Sequence, residues 1–153
     1  MDERVEQLRS AERARIAGEA IVAHLLDAAF AVVSYNDFHR RFGPLPHPPP
    51  IDLDILRHRY SWGEISEACR KARALLQDAY QVGDDLLSGR STRAEAARKL
   101  RQSHPGFSEK CYEDTIGQGC FMAADTGCLR PLPKRVTPSA HSNRRSDETA
   151  EPR

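Results

Sequence analysis

Two pairs of side chains have the types and spacing of a metal or acid–base site. His24 and Asp27 stand three residues apart, Asp54 and His58 four apart. On a helix, either spacing puts imidazole and carboxylate on one face, as helical bundles do when they hold metals between facing helices. Convergence of the two pairs would give a metal-dependent enzyme of the bundle type. The plainer reading is preferred here. His24 and Asp27 can satisfy each other or the backbone inside a bundle, and Asp54 falls in a first helical turn, where the dipole favours carboxylates. No cofactor is therefore expected.

Other chemistry has less support. Cys69, Cys111, Cys120 and Cys128 contain no CxxC pair. Cys111 and Cys120 are nine residues apart, about half a revolution around one helix, so they point to opposite sides. Cys69 lies on an apolar stripe and reads as a small buried hydrophobe. Gly117-Gln118-Gly119 is a lone GxG without the preceding strand and following Lys-Ser/Thr of a phosphate loop, and no Gly-x-Ser-x-Gly elbow occurs. An enzyme is not the expectation.

Thr92-Arg93-Ala94-Glu95-Ala96-Ala97-Arg98-Lys99-Leu100 is similar to the first helix of many bacterial helix-turn-helix units. Phe107 to Gly119 would then be the recognition helix, with Arg90, Arg93, Arg98, Lys99 and Arg101 on DNA phosphates. A small DNA-binding regulator using residues 92–119 is thus the alternative function. Two features oppose it. The turn from Arg101 to Gly106 exceeds the usual three to four residues, and Glu109, Glu113 and Asp114 would face a polyanion.

Partner binding has the broader base. The charged stretch from Asp2 to Glu19 carries apolar residues, Val5 and Leu8 among them, too sparse for deep burial yet sufficient for a seam against another chain. Trp62, Phe107 and Tyr112 are aromatic anchors near helix starts, where both interfaces and cores place them. A protein partner is expected, with a homodimer through the first helix as one form of it.

Composition narrows the classes. The chain has 153 residues, 23 basic against 22 acidic for a formal charge of +1, and 39% hydrophobic residues, which suits one domain with a polar extension. Nothing in that balance steers the molecule toward nucleic acid or anionic lipid. Arginine outnumbers lysine by 19 to 4, which points to a GC-rich genome and a bacterial or phage source. The acidic start, Met1-Asp2-Glu3, lacks the basic and apolar regions of a secretory signal. Ala20 to Val33, the most apolar stretch, has 14 residues and includes His24 and Asp27, whereas a membrane span needs about 20. No membrane association is expected, and reduced thiols in a cytoplasmic setting are.

The elements that must position these residues read as helices throughout. One long helix is predicted from Asp2 to Val33, continuing through Tyr35, Phe38 and Phe42 until Gly43-Pro44 stops it. Residues 43–50 hold proline at five of eight positions, a stiff extended connector. Asp52 caps a short helix ending near Arg59. Ser61 and Glu64 form a capping box, flanked by Tyr60 and Ile65 as a hydrophobic staple, for a helix predicted to run to about Ser88 and stop at Gly89. Thr92 and Glu95 form a second box, and Ser108 with Phe107 and Tyr112 starts the last helix, predicted to end near Ala124. Gly117 and Gly119 weaken that helix by roughly 1 kcal/mol each relative to alanine, which close packing on a neighbour would justify.

The resulting expectation is an all-α bundle of four to five helices over residues 1–124, with the proline-rich connector at 43–50 and a disordered polar tail at 125–153. Its expected role is that of a non-enzymatic protein-interaction module or accessory protein.

Overall fold

In the computed structural model, residues 2–127 are described, with the side chains of Thr126 and Gly127 excepted. Among the described residues the fold is all-α: α1 (Glu3–Val22), α2 (Leu25–Asp37), α3 (Trp62–Gln77), α4 (Ala79–Leu87), α5 (Arg93–Ser103) and α6 (Glu109–Gly127). α3 and α4 meet at Asp78, which keeps right-handed helical angles (φ −81°, ψ −10°), so the two are arms of one bent helix. Counted that way, the bundle has five helices among the described residues. Most of the expected polar tail, from Cys128 onward, lies outside them, and α6 continues three residues past Ala124.

The long first helix is two helices. Ala23 (φ −76°, ψ 162°) and His24 (φ −62°, ψ 154°) are extended and turn the chain between α1 and α2. No glycine or proline marks the break. The Arg59 guanidinium donates to the carbonyls of Ile21 and Ala23, each at 3.2 Å, and so satisfies the end of α1 from far along the chain. The short helix predicted before Arg59 is a single 3-10 turn, Leu53–Leu56, and a second such turn, His39–Arg41, follows α2.

Both capping boxes form as predicted. The Ser61 N–H donates to Glu64 Oε2 at 2.8 Å while the Glu64 N–H donates to Ser61 Oγ at 3.3 Å. Thr92 and Glu95 make the same pair of bonds at 3.0 and 3.2 Å.

α2 is the central helix. It buries Ala28, Ala29, Phe30, Val32, Val33 and Tyr35, and packs on both α1 and α3. Leu56, Ile65, Leu75 and Ile116, each at most 1% exposed, complete the core. α4 and α6 make the most extensive helix pair, and they cross at two glycines. A Cβ on Gly83 would overlap the backbone of Gly119, and one on Gly119 would overlap the carbonyl oxygen of Ala79. Close packing therefore accounts for Gly119. It does not account for Gly117, which faces open space.

α1 is held differently. Its first half is exposed, and only Ile16 and Ala20 are buried. Two arginines tie it to the proline-rich connector: Arg9 donates to the carbonyls of Phe42, Pro44 and Pro46, and Arg13 to those of Pro49 and Pro50 at 2.9 and 2.8 Å. Asn36 fixes the end of the connector to α2, its amide donating to the Ile51 carbonyl at 2.9 Å and accepting from the Ile51 N–H at 2.7 Å.

Two outcomes follow. Gly119→Ala should lower stability by about 1–3 kcal/mol or more, because helix backbones would have to separate, whereas Gly117→Ala should raise it by roughly 0.5–1 kcal/mol. Urea unfolding of both variants decides this, and equal effects would contradict the crossing. The second outcome concerns acid. Hydrogen bonds from Ser61 lower the pKa of Glu64, and chiefly the Thr92 N–H lowers that of Glu95, from the ordinary 4.5. Since the folded values lie below the unfolded ones, this stability is present above about pH 4.5 and is lost as pH falls through the folded values. The double variant Glu64→Gln, Glu95→Gln should show a shallower fall of melting temperature between neutral pH and pH 3.

Candidate functional site: a groove between the first and last helices

α1 and α6 flank α2 without closing over it, and a groove of about 890 Å3 runs between them. That volume lies in the range of roughly 300–1,000 Å3 typical of ligand sites. Ile16, Phe30, Ala31 and Phe38 make its floor. The α1 wall presents Glu12, Arg15 and Glu19, and the α6 wall presents Lys110, Glu113, Asp114, Gly117 and Phe121.

One end is aromatic. The Phe38 ring lies 4.5 Å from Phe42 and 6.2 Å from Phe121, and Phe42 lies 5.0 Å from Phe121, all edge to face. Phe42 is 41% and Phe121 54% exposed. Isolated exposed hydrophobes are ordinary; here three interlocked rings gather at the mouth of an apolar groove. His39 stands beside Phe38, at 5.3 Å between ring centres. Its pKa is lowered, first by loss of water around the ring and less by Lys110 and Arg15, against the opposite pull of Glu12 and Asp114.

The other end is polar and fixed. Asp27 Oδ1 accepts the Ser108 N–H at 3.0 Å and the Cys111 thiol at 3.4 Å, so a carboxylate from α2 caps the start of α6. Burial pushes the Cys111 thiol up to about 12, which leaves it protonated at neutral pH and without the thiolate that nucleophilic chemistry needs. Within the walls, Arg15 pairs with Glu19 and Lys110 with Asp114, each at 2.7 Å.

The residues singled out from sequence fall in several places. His24 and Asp27 do not share a helical face: His24 precedes α2 in an extended conformation, and Asp27 is engaged with α6. His58 Nδ1 lies 2.6 Å from the Ile55 carbonyl oxygen, and Asp54 pairs with Arg57 at 3.6 Å. Both pairs thus lose the one-face geometry that would have made them ligands, because the chain breaks at His24 and turns as a 3-10 helix at Leu53–Leu56. Among the described residues, no group of three or more potential metal ligands gathers.

The basic residues of the helix-turn-helix reading are largely engaged by carboxylates. Arg93 Nη2 meets Glu113 Oε2 at 2.8 Å, Arg101 meets Glu109 at 2.8 Å, and Arg90 meets Asp84 at 2.7 Å and Asp85 at 3.0 Å. Arg98 and Lys99 are exposed on α5. The acidic start of α6 is therefore the counter-surface of α5.

Of the aromatic anchors, Phe107 and Tyr112 are 8% and 2% exposed, and the Tyr112 hydroxyl donates to the His104 carbonyl at 2.6 Å. They occupy the staple and core positions. Trp62 is 45% exposed beneath the Arg57 guanidinium, 5.2 Å from the ring centre. Val5 and Leu8 are 37% and 65% exposed. By helical spacing they stand two turns and one turn before Glu12 on the face of α1 that overlooks the groove. The groove itself escapes the sequence, since its residues come from α1, α2, the turn after α2 and α6. The one local signal is Phe121, a large apolar side chain two positions beyond a glycine that faces the opposite way.

No helix among the described residues is long and apolar enough to cross a membrane. Compared with known proteins, the chain matches no family model, no curated protein and no solved structure.

Native-state alkylation tests the electrostatics of the groove wall. With iodoacetamide at pH 8, the peptide containing Cys111 should stay unmodified until the chain unfolds. Rapid labelling of Cys111 in the folded protein would show the thiol to be accessible and ionisable.

Proposed function

We propose that this chain is a non-enzymatic protein-interaction module whose binding face is the groove between α1 and α6. The observation that carries this reading is the open phenylalanine cluster at the mouth of an apolar trough with charged walls, the anatomy of an anchor pocket with a polar rim. The exposed Val5 and Leu8 extend the same face along α1, so a partner longer than the groove would continue onto the helix. The high pKa of Cys111 and the separation of the His–Asp pairs favour binding over catalysis. A cytoplasmic setting belongs to this reading and is supported by the free thiols of Cys69, Cys111 and Cys120.

The test starts from a protein retained by the full chain after nuclease treatment, which is then purified and titrated. Phe121→Ser and Gly117→Trp should each weaken it at least about tenfold, equivalent to 1.4 kcal/mol. Arg98→Glu with Lys99→Glu should leave it bound. Unchanged affinity in both groove variants would reject the groove as the binding face. Capture that disappears with nuclease and with the Arg98 and Lys99 changes would replace this reading with the DNA-binding one.

A further inference from the structure

The start of α1 stands clear of the bundle. Every residue from Glu3 to Leu8 is exposed, and the packed side of the helix begins only at Ile16 and Ala20. One row along this free part has an order of its own. Arg4, Val5, Leu8, Ala11 and Glu12 lie three and four residues to either side of Leu8, so they share one face. All five are exposed. Glu3 and Glu6, five and two residues before Leu8, point away from that face by the same helical spacing.

The row is the complement of its own reverse. Turned end for end about Leu8, Arg4 comes opposite Glu12, Val5 opposite Ala11, and Leu8 opposite Leu8. Arg4 and Glu12 each stand about 6 Å from Leu8 along the axis. Neither has an ion-pair partner among the described residues, whereas Arg15 and Glu19, next along the helix, pair with each other. A patch that matches itself in reverse is what a two-fold contact requires, because the same surface serves both copies. We propose that two copies of this chain associate through this row, α1 antiparallel to α1, with Leu8 on the two-fold axis and Arg4 of each copy paired with Glu12 of the other. At the common helix crossing of about −50°, rows of every fourth residue, here Arg4, Leu8 and Glu12, run alongside one another. An unlike partner would gain nothing from the symmetry of the row. The seam takes up the extension that Val5 and Leu8 give to the binding face and stops at Glu12, the first α1 residue of the groove lining. Each groove is thus left open to a partner no longer than itself. One helix pair buries less than the roughly 1,200 Å2 of a stable interface, so the dimer forms in the micromolar range or above.

This association goes beyond the groove's own partner and stands or falls without it. Sedimentation equilibrium of the full chain at low salt, from about 10 to 500 μM, spans the expected range. The unsubstituted chain should approach twice the mass of one chain as its concentration rises. Leu8→Asp should stay monomeric throughout. Arg4→Glu and Glu12→Arg each set like charges opposite one another and should each raise the dissociation constant at least about tenfold. Combined in one chain they restore opposite signs in reversed order, and association should return close to that of the unsubstituted protein. Damage to the fold by either change would accumulate in the double variant, whereas a charge mismatch cancels. A monomer at every concentration, a dimer indifferent to Leu8→Asp, or a double variant no better than the single ones would each overturn the proposal. Gly117→Trp, which fills the groove, should leave the dimer intact; its loss there would place the contact between copies in the groove and overturn the proposal too.

Discussion

Helices α4 and α6 touch backbone to backbone at Gly83 and Gly119, and the orientation of α6 follows from that contact. Residues two positions apart on a helix point about 200° away from one another. With Gly119 pressed against Ala79 and Gly83, Gly117 and Phe121 must face the opposite side, toward the space beside α2. Asp114 and Lys110, three and seven residues before Gly117, continue the same stripe. A contact that needs two residues without side chains thereby aims one wall of the groove. The Asp27 carboxylate, holding the Ser108 N–H, anchors the other end of that wall.

The opposite wall depends on a different kind of force. Proline has no N–H, so a connector with five prolines in eight residues cannot pair its own carbonyls as a helix or strand would. Those carbonyls are left for side-chain donors. Arg9 and Arg13 supply them from α1, and Arg40 adds a longer bond to the Pro48 carbonyl at 3.4 Å. The planar guanidinium suits this task, because one group can serve two or three oxygens at once. α1 is docked by charge-assisted hydrogen bonds over its exposed half and by packing only near Ile16 and Ala20.

Local signals in the sequence identified what local interactions determine. Ser61 with Glu64 and Thr92 with Glu95 start helices where their spacing said they would, and the glycine at 119 sits at a close helix crossing. The breaks at Ala23-His24 and at Asp78 carried no such signal. The first is completed by Arg59, which is 36 residues from Ala23, and the second leaves Asp78 in helical angles. Periodicity therefore ran through both. The groove was hidden for the same reason: Phe38 and Phe42 read as the face of a continuing helix, and only the turn at His39–Arg41 brings their rings to Phe121. On α5, Arg93 and Arg101 stand beside Glu113 and Glu109 of α6, partners that the spacing along α5 alone does not reveal.

The manner in which α1 is attached gives the groove a lifetime of its own. Regions with few buried apolar contacts and solvent-exposed hydrogen bonds open at free energies well below that of global unfolding. α1 has the marks of such a region: only Ile16 and Ala20 of its residues are buried, and its exposed half is held by the hydrogen bonds of Arg9 and Arg13. The trough is thus a surface that exists only while α1, which supplies Glu12, Arg15, Ile16 and Glu19 to its lining, stays docked. Its integrity depends on the bonds of Arg9 and Arg13 to the connector together with the packing of α1 on α2.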